Sequence, residues 1–268
     1  MPWRPEYAGE RPTLGWYVLD WITENLIVPD RPDSDAPLVF TVEQAEFILR
    51  FYELDPKTGK RRIRRGVISR PRGWGKSPMV AALCLVEALA DVFPDGWDAD
   101  GRPVGKPWWT VRTPNVQVAA ATEFQTKNTW DPLQEMASGP LTDNYPGLEP
   151  MDTFVALPGG RGRIEQLTAS ATSAKGARPV FVSMDQTEVW TNGNGGWALR
   201  KVILGNIAKR AGSVLETPNA YVPQAQGAES VAQLTFQAAQ AIKEGRARAD
   251  TGLLWDHREA PADTDLTD

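Results

Sequence analysis

The chain has 268 residues, enough for one large domain or two small ones with a sizeable hydrophobic core. Its 34 acidic and 29 basic residues give a net charge of −5, which argues against a generally basic nucleic-acid binder but allows a local basic face. One cysteine, Cys84, excludes an internal disulfide, and one histidine, His257, leaves too few ligands for the common zinc sites. With no apolar signal region and no run long enough to span a membrane, these features predict an intracellular protein without membrane contact.

The N-terminal 40 residues are rich in proline and tryptophan, and a helix is predicted at Trp16–Asn25. We expect residues 1–40 to form an extension that packs on the following domain. A second helix is predicted from Thr41 through residue 52, ending near Asp55-Pro56, because Thr41 and Gln44 have the spacing of a capping box. One interpretation of Gln44 is therefore purely structural, as a capping residue of this helix.

The stretch Lys57–Arg65 carries six cationic residues. A solvated turn between a helix and a strand explains this composition, and a local basic face for nucleic acid is the alternative.

Residues Ser69–Ser77 read Ser-Arg-Pro-Arg-Gly-Trp-Gly-Lys-Ser, between a short apolar segment and a long apolar helical one. Strand, glycine-bearing loop, Gly-Lys-Ser and helix are the layout of a phosphate-binding loop. Gly73 and Gly75 allow the backbone to turn and bring N–H groups close to an anion. Lys76 is expected to contact the β- and γ-phosphates and Ser77 to ligate Mg²⁺. Arg70 stands where the usual pattern has glycine.

Strands and helices alternate after this loop, which predicts a parallel, three-layer α/β domain. A ligand should then lie at the carboxyl ends of the strands. The predicted elements are a strand at 116–121, a helix at 123–136, a hairpin at 154–167, a strand at 180–184, a helix at 197–210, a strand at 212–217 and a helix at 229–243. Residues 94–114 show little periodic order, and the polar chain from Arg246 is expected to be a peripheral tail or linker.

Asp185 ends the apolar strand 180–184 and is the predicted carboxylate behind Mg²⁺, which it would hold through water. Gln186 follows, where the additional-strand class of these ATPases has a catalytic glutamate. Glutamine can orient a water molecule but cannot accept its proton. Two interpretations stay open: Glu188 supplies the carboxylate, or the chain carries glutamine in place of glutamate and binds ATP with little or no hydrolysis. The second is the preferred hypothesis.

Four motifs in this order resemble the large terminase subunit of tailed bacteriophages, the motor ATPase that packages double-stranded DNA. They are Pro71–Ser77, Val180–Trp190 (Val-Phe-Val-Ser-Met-Asp-Gln-Thr-Glu-Val-Trp), Asn194-Gly195-Gly196 and Leu215–Tyr221 (Leu-Glu-Thr-Pro-Asn-Ala-Tyr). The resemblance covers about residues 40 to 245 and implies an additional-strand P-loop NTPase with a mainly parallel sheet. It places the ATPase domain at residues 41–245.

The resemblance also implies roles for individual residues. Gln44 resembles the adenine-recognising glutamine of the family, and Thr217 and Asn219 resemble its coupling motif, which senses the γ-phosphate. The family often has basic residues in the loop, so Arg70 and Arg72 are expected beside the phosphates, together with Trp74. A neighbouring subunit would supply an arginine finger, for which Arg178 is preferred over Arg161 and Arg163.

The family works as a ring, usually a pentamer, on the portal of the procapsid, with a small terminase subunit and double-stranded DNA as partners. The expected cofactors are ATP and Mg²⁺, and the expected location is the cytoplasm of the infected bacterium and not the mature virion. The family's nuclease domain has no counterpart in residues 246–268, so DNA cutting is not expected.

Two other function classes remain open from the sequence. A helicase or related P-loop nucleic-acid ATPase would share the nucleotide site but needs further motifs, which the sequence lacks. A non-hydrolysing nucleotide-binding or structural protein would explain Arg70 and Gln186.

Overall fold

The computed structural model describes residues 3–31, 36–169, 178–208, 211–219, 229–248 and 252–259. The helices are α1 (Gly15–Asn25), α2 (Val42–Phe51), α3 (Lys76–Leu89), α4 (Glu123–Ala137), α5 (Leu141–Asn144), α6 (Gly196–Ala208) and α7 (Val231–Lys243). The strands are β1 (Arg65–Ser69), β2 (Phe93–Trp97), β3 (Pro103–Lys106), β4 (Asn115–Ala120), β5 (Glu149–Pro150), β6 (Phe154–Ala156), β7 (Arg163–Thr168), β8 (Phe181–Asp185), β9 (Ser213–Thr217) and β10 (Leu253–His257).

Eight strands form a central sheet in the order β10-β1-β9-β8-β4-β7-β6-β5. The six strands from β10 to β7 are parallel, while β6 and β5 add an antiparallel edge, so the predicted mainly parallel α/β sheet is confirmed. The predicted hairpin is β6–β7. Residues 94–114, for which no order was predicted, include most of a separate two-stranded sheet, β2–β3.

Alternation along the strands produces two hydrophobic layers, one on each face of the sheet. Phe181 of β8 packs into the larger cluster, with α1 to α4. Val182 and Met184 pack into the smaller cluster, with α6 and the start of α7. Because successive strand side chains point to opposite faces, this alternation produces the three-layer arrangement that the sequence predicted. Helix α3 is buried over most of its length, as its nearly continuous apolar composition predicts.

Strand β10 corrects the expectation of a peripheral C-terminal tail. Residues Leu253–His257 pair in parallel with β1, and His257 lies opposite Ser69. The prediction was wrong for these five residues because their mixed composition carries no clear strand period, whereas edge pairing is decided by the neighbouring strand. The α/β domain thus includes β10, beyond the predicted boundary at residue 245.

In the basic stretch 57–65, most of the arginines are paired with other groups of the fold. Arg61 forms an ion pair with the fully buried Glu87, and Arg62 pairs with Glu53. Arg64 donates to the carbonyls of Ile207 and Gly212. These arginines fix the approach to β1 and are therefore not a free basic face. Within the described ranges, no helix is long and apolar enough to cross a membrane.

Candidate nucleotide site

The residues that the sequence singled out lie at the carboxyl ends of three neighbouring strands. Strand β1 leads into the loop 70–75, β8 ends at Asp185, and β9 ends at Thr217, which lies directly opposite Asp185. Crevices at the carboxyl ends of parallel strands are where open α/β sheets bind ligands.

The loop has the backbone conformation that a phosphate-binding loop needs. Gly73 and Gly75 have φ angles of 82° and 91°, and Gly75 is the N-cap residue of α3. The left-handed backbone at Gly75 favours glycine, and a Cβ atom there would lie 2.9 Å from Nε2 of Gln44 and displace the end of that side chain. The N-terminus of α3 presents its unpaired N–H groups at the end of the loop.

Lys76 is held by three oxygen atoms. Its Nζ donates to the carbonyl oxygens of Arg70 and Pro71 at 2.7 and 2.8 Å and to Oδ1 of Asn219 at 2.9 Å. Burial lowers the pKa of Lys76, and the negative charges of Glu188 and Asp185 oppose this shift. The ammonium group therefore lies across the loop. A bound anion would compete with these three oxygen atoms for it.

Asn219 is itself held by Glu188. The backbone N–H of Asn219 donates to Oε2 of Glu188 at 3.1 Å, and its Nδ2 donates to Oε1 at 2.6 Å. These two bonds turn Oδ1 of the amide toward Lys76. Glu188 thus acts on the loop through Asn219.

Asp185 is a buried carboxylate held by two hydroxyl groups. Thr129 of α4 donates to its Oδ2 and Thr217 donates to its Oδ1, each at 3.0 Å. Burial raises the pKa of Asp185, and the two hydroxyl bonds partly counteract it. Because the side chains that donate to this buried carboxylate are neutral hydroxyls, a cation in the adjoining cavity would stabilise it further.

Gln186 stands at the end of β8 in a left-handed conformation, with φ 51° and ψ 47°. Its backbone N–H donates to the carbonyl of Thr217 at 3.3 Å, and a short 3₁₀ turn, Thr187–Val189, follows. Left-handed backbone is uncommon outside glycine and is a feature of functional sites. This turn directs Gln186 into the cavity beside Asp185.

A cavity of about 720 Å³ unites these residues. Its walls include Arg72, Gly73, Gly75, Lys76, Ser77, Asp185, Gln186 and Asn219, together with Asp30, Pro78, Gln125, Asn128 and Pro132. Eight of the predicted site residues therefore face one space. Among the described residues, no group of three or more His, Cys, Asp or Glu side chains could hold a metal ion. A magnesium ion here would depend on Ser77, Asp185 and the phosphates of a bound nucleotide, which matches the sparse protein ligation that Mg²⁺ uses.

Arg70 corrects the expectation of a charge beside the phosphates. Its buried guanidinium bonds to Glu43 at 3.0 Å, to the carboxylate of Asp256 at 2.7 Å, and to the carbonyls of Ser69 and Asp256. Ion pairing to two carboxylates stabilises this side chain away from the anion cavity, and it fastens β10 and α2 to the loop. Arg72 is the exposed basic residue that lines the cavity.

Gln44 forms the predicted capping box of α2. Its Oε1 accepts from the backbone N–H of Thr41 at 3.0 Å, and its Nε2 donates to the carbonyl of Trp74 at 3.2 Å. The amide therefore has backbone partners at both ends and supports the loop from behind. Trp74 continues this support, since its Nε1 donates to Glu43 at 3.0 Å and lowers the pKa of that carboxyl.

The three candidate arginine fingers have different surroundings. Arg178 is exposed just before β8. Arg163 pairs with Glu165, and Arg161 lies over the ring of Trp109, 5.4 Å from its centroid. Tyr221 of the fourth motif lies outside the described residues.

Thr129 is a site residue that the sequence did not reveal. It lies in the middle of α4, where a threonine normally bonds to its own helix, so no local signal distinguishes it. Thr217 was predicted, but it contacts Asp185 and is fully buried, so the structure places it behind the carboxylate.

No family model matches the sequence. The chain is 37% identical over 298 aligned residues to the Gene 13 protein of Mycobacterium phage L5, covering 99% of this chain and 48% of that protein. It is 37% identical over 284 residues to the Gene 13 protein of Mycobacterium phage D29, covering 96% of this chain and 45% of that protein. The chain thus spans about half the length of the curated relatives that it matches.

The structure is similar to the crystal structure of the large terminase of bacteriophage HK97. The TM-score is 0.68 at 18% sequence identity, over 96% of this chain and 46% of that chain. This likeness confirms, at the level of the fold, the resemblance inferred from the four sequence motifs.

Proposed function

We propose that this chain is the ATPase part of a phage large terminase, a motor that couples ATP hydrolysis to the movement of double-stranded DNA into a procapsid. The observation that carries the proposal is the single cavity shared by Lys76, Ser77, Asp185, Gln186 and Asn219. The terminase fold and the phage relatives support it. A procapsid portal, a small terminase subunit and a homo-oligomeric ring, a pentamer in the proposal, would be its partners in the host cytoplasm.

In this proposal, each residue has a binding or orienting role. Backbone N–H groups of the loop and the N-terminus of α3 bind the phosphates, and Lys76 leaves Asn219 to contact the outer phosphates. Ser77 and Asp185 would hold the magnesium ion, with Asp185 acting through water. When bound, the ion neutralises charge on the phosphate oxygens.

The same geometry supports a coupling role for Thr217, at the end of β9, and for Asn219, two residues later. Thr217 contacts the metal-binding carboxylate, and Asn219 contacts Lys76. A change at the outer phosphate would therefore reach both residues of one strand end. Arg178 of a neighbouring subunit is proposed as the finger because it is exposed and lies close to β8 in the chain.

Gln186 makes slow hydrolysis part of the proposal. Its amide orients the attacking water but does not take its proton. A non-hydrolysing nucleotide-binding protein is the second candidate function, and this residue is the observation that favours it. Glu188 is the carboxylate of the same turn, although in the structure it bonds to Asn219.

Nucleotide binding by Lys76→Ala tests the site. We expect this variant to bind Mg·ATP about tenfold or more weakly, because charged hydrogen bonds to phosphate contribute about 1.5–3 kcal/mol. Lys57→Ala, an exposed change in the basic stretch, is the matched control and should bind normally. Equal affinity of the Lys76→Ala variant and the wild type would refute the site.

Translocation and hydrolysis need separate assays. Stimulation of ATP turnover by double-stranded DNA, without strand separation, is the expected behaviour of a packaging motor. Strand separation would favour a helicase, and binding without turnover in the Gln186→Glu variant would favour the non-hydrolysing alternative.

A further inference from the structure

A second cavity, of about 730 Å³, lies beside the phosphate loop on the side of β10. It adjoins the nucleotide cavity, because both are lined by Asn219. Its other walls are Glu43, Ser69, Arg70, Pro71, Trp74, Pro218, Ala232, Phe236, Trp255, His257, Arg258 and Glu259. Its size lies within the range of small-molecule sites.

Aromatic side chains from α7 and β10 form one wall of this cavity. Phe236 lies edge-on to His257, with ring centroids 5.2 Å apart, and Trp255 stacks on His257 at 5.4 Å. The register of β10 places His257 opposite Ser69, the residue before the loop. Aromatic rings so close to a phosphate loop are suited to stack on a planar base.

His257 adds unused hydrogen-bonding groups to this wall. Both of its ring nitrogens are buried and have no hydrogen-bond partner among the described residues. The carboxylate of Glu259 lies 3.4 Å from Nε2, a contact that does not meet hydrogen-bond geometry. Buried polar atoms without partners are rare and call for a ligand or water.

Gln44, the residue that the family resemblance assigns to adenine, does not line this cavity or the nucleotide cavity. Its amide already bonds to Thr41 and Trp74. The aromatic residues that line the second cavity instead lie on β10 and α7, for which the sequence predicted no such role.

We infer that this second cavity binds the base and ribose of the nucleotide whose phosphates occupy the loop, with Phe236 and His257 as the contacts to the base. The inference rests on the proposed function, because it needs a nucleotide in the neighbouring cavity. A purine base would stack on the Phe236–His257 wall, and a ring nitrogen of His257 would bond to its edge.

The test compares ATP with tripolyphosphate, which carries the phosphates without base or ribose. Binding of each ligand with Mg²⁺ is measured by calorimetry for the wild type and for Phe236→Ala, His257→Ala and His257→Phe. We expect both alanine variants to bind ATP about tenfold more weakly, because stacking on one aromatic side chain is worth about 1–3 kcal/mol. Their tripolyphosphate affinity should stay within about twofold of wild type, which also shows that they fold.

The remaining variants separate the contributions. His257→Phe keeps a ring and should recover part of the loss if stacking dominates. Trp16→Ala, exposed on α1, is the control and should change neither affinity. Lys76→Ala should weaken both ligands. Unchanged ATP affinity in both alanine variants would overturn the base site while leaving the phosphate site intact, whereas a wild type that binds neither ligand would overturn the proposed function as well.

Discussion

Nζ of Lys76 lies 2.9 Å from Oδ1 of Asn219, so the phosphate loop is bonded directly to the end of β9. Asn219 in turn receives its orientation from Glu188. A nucleotide that draws the ammonium group toward its phosphates must weaken this bond. The three residues therefore connect occupancy of the loop with the strand end that carries the proposed coupling residues.

Glu188→Gln should change the pH dependence of nucleotide binding. Burial lowers the pKa of Lys76, and Glu188 is the first charge that opposes this shift. Without that charge the pKa falls further, and the ammonium group loses its proton at a lower pH. As the pH is raised into the alkaline range, the Glu188→Gln variant should therefore lose ATP affinity at a lower pH than the wild type. A fluorescent ATP analogue measures this affinity.

The matched control is Glu244→Gln, an exposed carboxylate after α7. Its alkaline limb should coincide with that of the wild type. Identical pH profiles for Glu188→Gln and the wild type would show that Glu188 does not influence Lys76.

Gln186→Glu should accelerate ATP hydrolysis. A carboxylate at this position can accept the proton of the attacking water, and a positioned general base contributes about 10²–10⁴-fold. Single-turnover measurements isolate this step from nucleotide binding, which should change little. Gln186→Ala is the control and should not be faster than the wild type.

An equal rate in the glutamate variant would mean that position 186 does not limit hydrolysis. Glu188→Gln would then be measured in the same assay, since that carboxylate is the alternative base.

Without bound nucleotide, the Asp185→Asn variant should be more stable than the wild type, and the difference should grow as the pH rises. Folding raises the pKa of Asp185 above its ordinary value of 3.8, so the folded state binds this proton more tightly than the unfolded state. The wild type therefore loses stability as the pH rises from 3.8 through the raised value. Asparagine carries no charge and lacks this loss, so its melting temperature should exceed that of the wild type by a few degrees at neutral pH.

The same change should remove magnesium-dependent stabilisation by ATP. Thermal melts across the acidic range, with and without Mg·ATP, test both statements. A melting-temperature difference that does not vary with pH would contradict the assigned cause.

Glu87→Ala should destabilise the fold strongly. Glu87 is fully buried, pairs with Arg61 and accepts from Nε1 of Trp108 at 3.0 Å. Removing one partner leaves a buried guanidinium without its counter-charge, at a cost of about 3–5 kcal/mol. Urea unfolding measures this cost. Asp95→Ala, which breaks the exposed pair with Lys106, is the control and should cost no more than about 1 kcal/mol.

Much of the site was predictable because it depends on local sequence. The capping box of Thr41 and Gln44, the glycines of the loop and the start of α3 involve groups a few residues apart. Backbone preferences and short-range hydrogen bonds decide such features, so the sequence determines them directly. The apolar strand before Asp185 also predicts that this residue lies at the carboxyl end of a strand in a parallel sheet.

Only the tertiary structure decided which distant groups meet. Arg70 bonds to Asp256, 186 positions away, instead of facing the phosphates, and Thr129 reaches Asp185 from another layer. Strand β10 enters the sheet and brings His257 beside the loop. Long-range pairing and the burial of charge depend on which neighbours surround a residue in space, and no local pattern in the chain encodes those neighbours.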